Sequence, residues 1–380
     1  MENKQIGMIG AGAWGTAVAK VLAENGHDVE IWAFEKSVAD SINTRHVNNT
    51  YLLGVELPPV LRATDNLNQA VSGKEFIFLA VPSIFFIPTL RQIAKNPAVL
   101  DGSLSIGILT KGFIPGRRLP YLPVEAAENL LPIPYRDKLV YISGPSHAEE
   151  VSRGKITGLI SASKNAKNSI RFRELLSGRT LLVYSSFDVI GVQTAAAVKN
   201  VIALAFGMLD ALKEISPLFG DNTESLLLAA GLREIQLLGQ ALGSAYPETY
   251  TSIAAVGDLD VTCRSVYGRN RRFGREIIHD RKLEGFKDID DLIKRIATVG
   301  YLPEGVVACR YARSVAEQKN LKTPIISAVH SILNRESEPL ETLSSLIGNS
   351  ISFPDANSSD GFSQRDDGHS PDEDRTLGKR

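Results

Sequence analysis

Short apolar runs alternating with helix-length segments dominate the first half of the chain. Residues 5–10 form a compact apolar run, residues 14–24 have helical composition, and Asn25-Gly26 supplies a stop signal. Residues 28–32 (DVEIW) alternate polar and apolar, as a half-buried strand does. Further apolar runs follow at 75–81, 104–109, 139–143, 158–162 and 181–185, most of them ending in Gly, Pro, Ser or Thr. This pattern predicts an α/β unit, a mainly parallel sheet covered by helices on both faces. Ligands of such sheets bind beyond the carboxyl ends of the strands.

From about Asp188 the texture changes. Alanine- and leucine-rich stretches at 188–214, 222–241 and 305–320 predict helices and no further strands, so the second half reads as an all-helical domain. The expected division is residues 1–187, residues 188–348 and a tail, 349–380. The tail is rich in Ser, Asp, Gly and Arg and too poor in apolar residues to offset ordering entropy, so we expect it to be disordered. No internal repeat recurs at a fixed period.

Composition narrows the class. At 380 residues two domains are the natural expectation, and 43% hydrophobic residues is ordinary for a globular protein. Lys and Arg number 42 against 43 Asp and Glu, a net charge of -1, which gives no bulk attraction to nucleic acid or anionic membrane. We expect no nucleic-acid partner. The two cysteines, Cys263 and Cys309, are far apart and form no CxxC pair. That argues against a disulfide framework or zinc site and fits a reducing compartment; His46 and His147 are isolated, and no metal site is expected. The glycines of MENKQIGMIGAGAWG arrive too early for a signal peptide. The apolar stretch 189–209 is interrupted by Lys199 and Asn200, so no membrane span is expected, and the working location is the cytoplasm.

The first chemical signal is Gly10-Ala11-Gly12-Ala13-Trp14-Gly15, a GxGxxG that follows an apolar strand directly and opens a helix. Alone the motif is weak; in this context it marks the dinucleotide turn of a Rossmann-type fold. Gly10 permits the tight turn, Gly12 the approach of a pyrophosphate, and Gly15 close helix–strand packing. The helix N-terminus offers N–H groups and partial positive charge to phosphate. Glu35, about twenty residues on, is placed to accept hydrogen bonds from ribose hydroxyls. Glu30 is mid-strand, and Ala33-Phe34-Glu35 offers no arginine for a 2′-phosphate. The reading therefore leans to NAD, with NADP or dual use open.

Four further segments carry candidate chemistry. Thr110-Lys111-Gly112 closes one strand, so Lys111 should project at the ligand edge, and Ser143-Gly144-Pro145-Ser146-His147-Ala148 closes another. Around Lys199, residues 195–209 are apolar on the whole helix circumference apart from Lys199 and Asn200, which predicts a buried helix. Burial lowers a lysine pKa, and a second cation such as Lys111 would lower it further, suiting proton transfer with a substrate hydroxyl. The bland alternative is a lysine snorkelling to solvent. Asp258 and Asp260 could orient that lysine, or merely form the turn of a glycine-containing loop. Arg269, Arg271, Arg272 and Arg275 cluster within one or two helical turns. Such a run is ordinarily a solvated face, yet one guanidinium beside Asn270 would suit a substrate phosphate.

Taken together, GAGAWGTA, TKG, ISGPSHAEEV, GVQTAAAVKNVIA, VGDLDVTC and GRNRRFG resemble the bacterial NAD(P)-dependent glycerol-3-phosphate dehydrogenases, in order from about residue 5 to residue 335. The resemblance implies interconversion of sn-glycerol 3-phosphate and dihydroxyacetone phosphate, chiefly toward the former for phospholipid synthesis, by a two-domain homodimer. It implies Lys199 as proton donor and acceptor and Lys111 as a contact of both substrate and cofactor. It further implies Gly144, Ser146, Asp258, Gly268, Arg269 and Asn270 around the substrate. Trp14, Ala148, Leu302 and Glu304 would lie at the cofactor, where Arg269 also reaches. Three residues depart from the family pattern: Ala13 stands where Ser is usual, Phe34 where Arg is common, and Gly268 where Ser or Thr is frequent. Two alternatives stay open on residues alone: a related dehydrogenase of a 3-hydroxy acid or sugar nucleotide, and a non-catalytic nicotinamide sensor.

Overall fold

The computed structural model describes residues 2–116 and 118–350; the tail expectation for residues 351–380 lies outside them. The main sheet contains β1 (Gln5–Ile9), β2 (Asp28–Trp32), β5 (Arg62–Thr64), β6 (Phe76–Leu79), β7 (Ser105–Ile108), β8 (Val140–Ser143), β9 (Thr157–Ala162) and β10 (Leu181–Ser186). A separate antiparallel hairpin is made by β3 (Val47–Asn48) and β4 (Leu52–Glu56). Strand order in the sheet is β10-β9-β8-β7-β6-β1-β2-β5. Pairing is parallel except between β8 and β9. The chain winds outward from β1 through β2 to β5, then returns to β6 on the other side of β1. The end of β1 is therefore the switch point of the sheet, where a ligand crevice opens.

The strands expected from apolar runs are all present, and the second half contains helices alone among the described residues. The hairpin and β5 lie where the apolar pattern predicts nothing. Their strands span two to five residues and have mixed exposure, so they leave no run to read.

The second half is built around one helix. Helix α1 (Ala13–Glu24) follows the glycine turn; α2 (Val189–Leu212) is the central rod of the helical part. Asp188 starts α2 by accepting the Gly191 N–H at 2.8 Å, while its other oxygen takes the Ser244 hydroxyl at 2.7 Å. All of α2 except Ile190 and Asp210 is buried, as its all-round apolar sequence predicts. By length and hydropathy α2 could cross a bilayer, but 94% of its most apolar window is buried within the protein.

Around it pack α3 (Asp221–Ala241), α4 (Asp258–Arg264), α5 (Arg269–His279), α6 (Glu304–Gln318) and α7 (Pro324–Leu333). Helices α2 and α5 cross in backbone contact. A Cβ at Gly207 would lie 2.0 Å from the Arg271 carbonyl, and one at Gly274 would lie 2.2 Å from the Leu204 carbonyl. Only glycine fits at either position, and the close crossing brings the start of α5 to the middle of α2.

One buried acid ties two of these helices. Glu234 of α3 accepts the N–H groups of Ile325 and Ile326 at 2.6 and 3.0 Å, satisfying buried donors that have no partner within the first turn of α7. Replacing it by alanine strands both donors in the interior. We predict that Glu234→Ala lowers unfolding stability by about 1–3 kcal/mol, read as a reduced urea midpoint; an unchanged midpoint would show that water replaces the carboxylate.

Candidate active site

The glycine turn has the geometry its sequence predicts. Gly10 holds φ +120, and a Cβ at Gly15 would lie 2.0 Å from the Gly10 carbonyl, so helix and strand touch. Gly12 is the N-cap of α1, makes no side-chain cap, and a Cβ there would meet nothing within 4 Å. Ala13 is the first helical residue, so its backbone N–H stays with the unpaired donors of that turn. The Trp14 indole N–H is buried without a partner. Open space above the turn, uncapped helix donors and an orphaned indole N–H all fit a phosphate-bearing dinucleotide.

At the end of the neighbouring strand β2, Phe34 is 80% exposed and borders an open groove of about 920 Å³ together with Trp32, Asp65 and Asn66. Glu35 is exposed beside it, and its Oε1 accepts the Tyr51 hydroxyl at 2.7 Å.

The parallel strands β7 and β8 end at the same edge. Tyr141 donates to the Thr110 carbonyl at 3.1 Å and the Thr110 hydroxyl donates to the Val81 carbonyl at 2.7 Å, which fixes the backbone before Lys111. Lys111 Nζ reaches Asp258 Oδ2 at 3.0 Å, the Gly144 carbonyl at 3.1 Å and Ser146 Oγ at 3.3 Å. Its three donors are thus committed, and direct contact with a substrate means trading one of them.

Lys199 is buried, which excludes the snorkelling alternative. Its Nζ donates to Asp258 Oδ1 and to the Thr262 hydroxyl, the latter at 2.9 Å. Two donors are used and one remains. Asp258 is 1% exposed and shared between the two lysines, with the Ser143 hydroxyl 3.4 Å away. Burial pushes the Lys199 ammonium down to about 7; Asp258 pulls against that shift and Lys111 adds to it. For Asp258 burial favours the neutral acid, but the two ammonium groups outweigh it and hold the carboxyl below its ordinary value.

Asp258 and Asp260 do not sit in a loop. A short π-turn, Ile253–Gly257, runs into α4, and the two acids occupy its first turn on different faces. Asp258 faces the lysines, with Thr262 one turn on donating to its carbonyl at 2.6 Å. Asp260 faces out and pairs with Arg264 at 2.8 Å. Thr262 stands in the VTC segment without drawing notice in the sequence; its spacing of four from Asp258 is the signal that finds it.

The arginine run separates cleanly. Arg271 and Arg275 both pair with Asp210, at 2.6 and 2.7 Å, and Arg272 pairs with Glu276 at 2.7 Å. Arg269 is exposed at the first position of α5 and makes no ion pair among the described residues. Asn270 also has a structural role. Its amide donates to Asn200 Oδ1 at 2.9 Å and accepts the Gly305 N–H at 2.8 Å, so the side chain stitches α2 to α6. What Asn270 leaves for a ligand is the second N–H of that amide and its backbone N–H in the first turn of α5, behind the N-cap Gly268. Glu304 begins α6; burial pushes its carboxyl up to about 7, against the pull of Arg269 and the Ser83 N–H. Leu302 precedes it half-buried, and Ala148 is the buried first residue of the short helix after β8.

A dinucleotide turn, a buried amine at the same sheet edge and a free arginine at a helix start define a two-domain nicotinamide-dependent dehydrogenase. Comparison with known proteins makes the assignment specific. The N-terminal model of NAD-dependent glycerol-3-phosphate dehydrogenase matches residues 5–169, and the C-terminal model matches residues 188–344. The chain belongs to this family. A glycerol-3-phosphate dehydrogenase [NAD(P)+] of Treponema denticola is 53% identical over 351 residues, 91% of this chain and 98% of that protein. The Bacillus velezensis protein of the same name is 38% identical over 332 residues, 87% of this chain and 90% of that one. The crystal structure of glycerol-3-phosphate dehydrogenase from Coxiella burnetii superposes with a TM-score of 0.78 at 31% identity, covering 91% of this chain and 99% of that one.

The open space at Gly12 generates a test. Gly12→Val should fold with an unchanged Tm and bind NADH at least about fivefold more weakly, since added bulk in a fitted contact costs about 1–3 kcal/mol. Fluorescence titration reads the affinity; normal binding would place the pyrophosphate elsewhere.

Proposed function

We propose that the protein interconverts sn-glycerol 3-phosphate and dihydroxyacetone phosphate, with Lys199 carrying the proton of the C2 oxygen. The supporting observation is the Lys199 amine itself: buried, held by Asp258 and Thr262, with one donor free and a pKa brought to about 7. When bound, the nicotinamide supplies or accepts the hydride at substrate C2. Neutral Lys199 takes the hydroxyl proton in oxidation, and its ammonium returns it in reduction. Lys111 and Lys199 set positive charge at the place where an alkoxide develops. Arg269 and the first-turn N–H groups of α5 hold the substrate phosphate, by charge-assisted hydrogen bonds and by the helix dipole. Formation of glycerol 3-phosphate, the direction that feeds phospholipid synthesis, is the main one.

The same proposal includes the cofactor side and the setting. Gly10, Gly12, Ala13, Trp14, Gly15 and Ala148 line the dinucleotide path, Glu35 and Phe34 meet its adenosine end, and Leu302 and Glu304 its nicotinamide end. With no arginine at Phe34 and a carboxylate at Glu35, NAD is preferred over NADP. Residues 1–187 form the dinucleotide-binding domain and 188–348 the substrate domain. The protein works in the cytoplasm as a homodimer; two free, buried cysteines fit a reducing compartment.

Two variants separate the roles. Lys199→Ala should lower kcat about 10²–10⁴-fold while NADH binding persists. Arg269→Ala should act through the KM for dihydroxyacetone phosphate, raising it about 10–100-fold for a lost charged hydrogen bond. In the parent enzyme the sign of the pH dependence follows from the depressed amine: oxidation rises, and reduction falls, as pH passes through about 7. Normal turnover by Lys199→Ala would move the proton to another group.

A further inference from the structure

The hairpin β3–β4 is tied to the glycine turn at one point and to Glu35 at another. Asn48 is 1% exposed, and its amide donates to the Ala11 carbonyl inside the glycine turn and to Thr16 Oγ1 of α1, each at 2.8 Å. Its Oδ1 accepts the Tyr51 N–H at 3.3 Å, which fixes the tip of the hairpin. From that tip the Tyr51 hydroxyl donates to Glu35 Oε1 at 2.7 Å. Glu35 is the N-cap residue of the helix Lys36–Arg45, yet its side chain makes no cap hydrogen bond. The unpaired N–H groups at the start of that helix are a nearby alternative partner for the carboxylate. Tyr51 holds it elsewhere. Its hydroxyl loses its proton only near pH 12, so it stays a donor across the working range.

We propose that Tyr51 is a positioning residue for cofactor choice: it holds Glu35 so that the free Oε2 meets the adenosine ribose, favouring NAD and repelling a 2′-phosphate. This rests on the reading that Glu35 faces the ribose. A carboxylate pinned at one oxygen offers its other oxygen in a fixed place, so a ribose hydroxyl pays less to order it. A phosphate brought to the same place meets a negative charge that cannot swing away. Through Asn48 the pin is referenced to the glycine turn, so pyrophosphate and ribose contacts share one frame.

The test is a four-enzyme set: the parent, Tyr51→Phe, Glu35→Gln and the double variant. Dissociation constants for NADH and NADPH are read by fluorescence titration, and kcat/KM for each cofactor is measured beside them. Tyr51→Phe should reduce the NADH-over-NADPH preference about tenfold, the scale of one hydrogen bond to a charged group. In the Glu35→Gln background the same change should have no further effect on the ratio. A preference unchanged by Tyr51→Phe but collapsed by Glu35→Gln would overturn the role of Tyr51 and leave the Glu35 reading intact. A preference unchanged by Glu35→Gln would overturn that reading and the proposal with it. Equal effects of Tyr51→Phe in both backgrounds would show that the tyrosine touches the cofactor itself, which also overturns a positioning role.

Discussion

Asp258 carries its charge out of water only because two ammonium groups meet it, one from each half of the chain. Lys111 comes from the edge of the sheet, Lys199 from the middle of α2, and Asp258 from the first turn of α4. A buried carboxylate left with neither partner is costly, and so is a buried ammonium without a counter-charge. The three groups therefore hold the sheet and the helical part in one arrangement. The same arrangement leaves Lys199 poised, because burial and Lys111 oppose its charge while Asp258 supports it. The joining of the two halves and the depressed Lys199 amine rest here on one set of distances.

Close helix packing supplies the rest of the geometry. Gly207 and Gly274 let α2 and α5 meet at their backbones, and Asn270 then spans from Asn200 to the first turn of α6. Helices α2, α5 and α6 are so joined by a single amide. The Asn270 amide is thereby tied into the helix packing, and Arg269, alone of the four clustered arginines, stays without an ion pair among the described residues.

What the sequence revealed follows the range of the interactions involved. The strand–turn–helix with its glycines is local, and its geometry appeared as read. Burial of Lys199 was legible because the surrounding residues are apolar around the whole helix. The hairpin was not legible, since two- to five-residue strands of mixed exposure leave no period. The role of Asn270 depends on which helix crosses which, and no spacing in one segment encodes a crossing; Thr262 had a local signal, its spacing of four from Asp258. Asp258 was found, but its setting was mistaken: glycine at 257 looked like a loop and is the entrance to a helix.

The most direct test of the central claim is the titration of one nitrogen. With lysine side chains labelled at Nζ, ¹⁵N NMR follows each amine, and the Lys199 resonance is assigned by its loss in Lys199→Arg. The account predicts that this amine loses its proton near pH 7 in the free enzyme. An ordinary lysine value of about 10.4 would contradict it, and would mean that Asp258 simply neutralises a charged structural lysine.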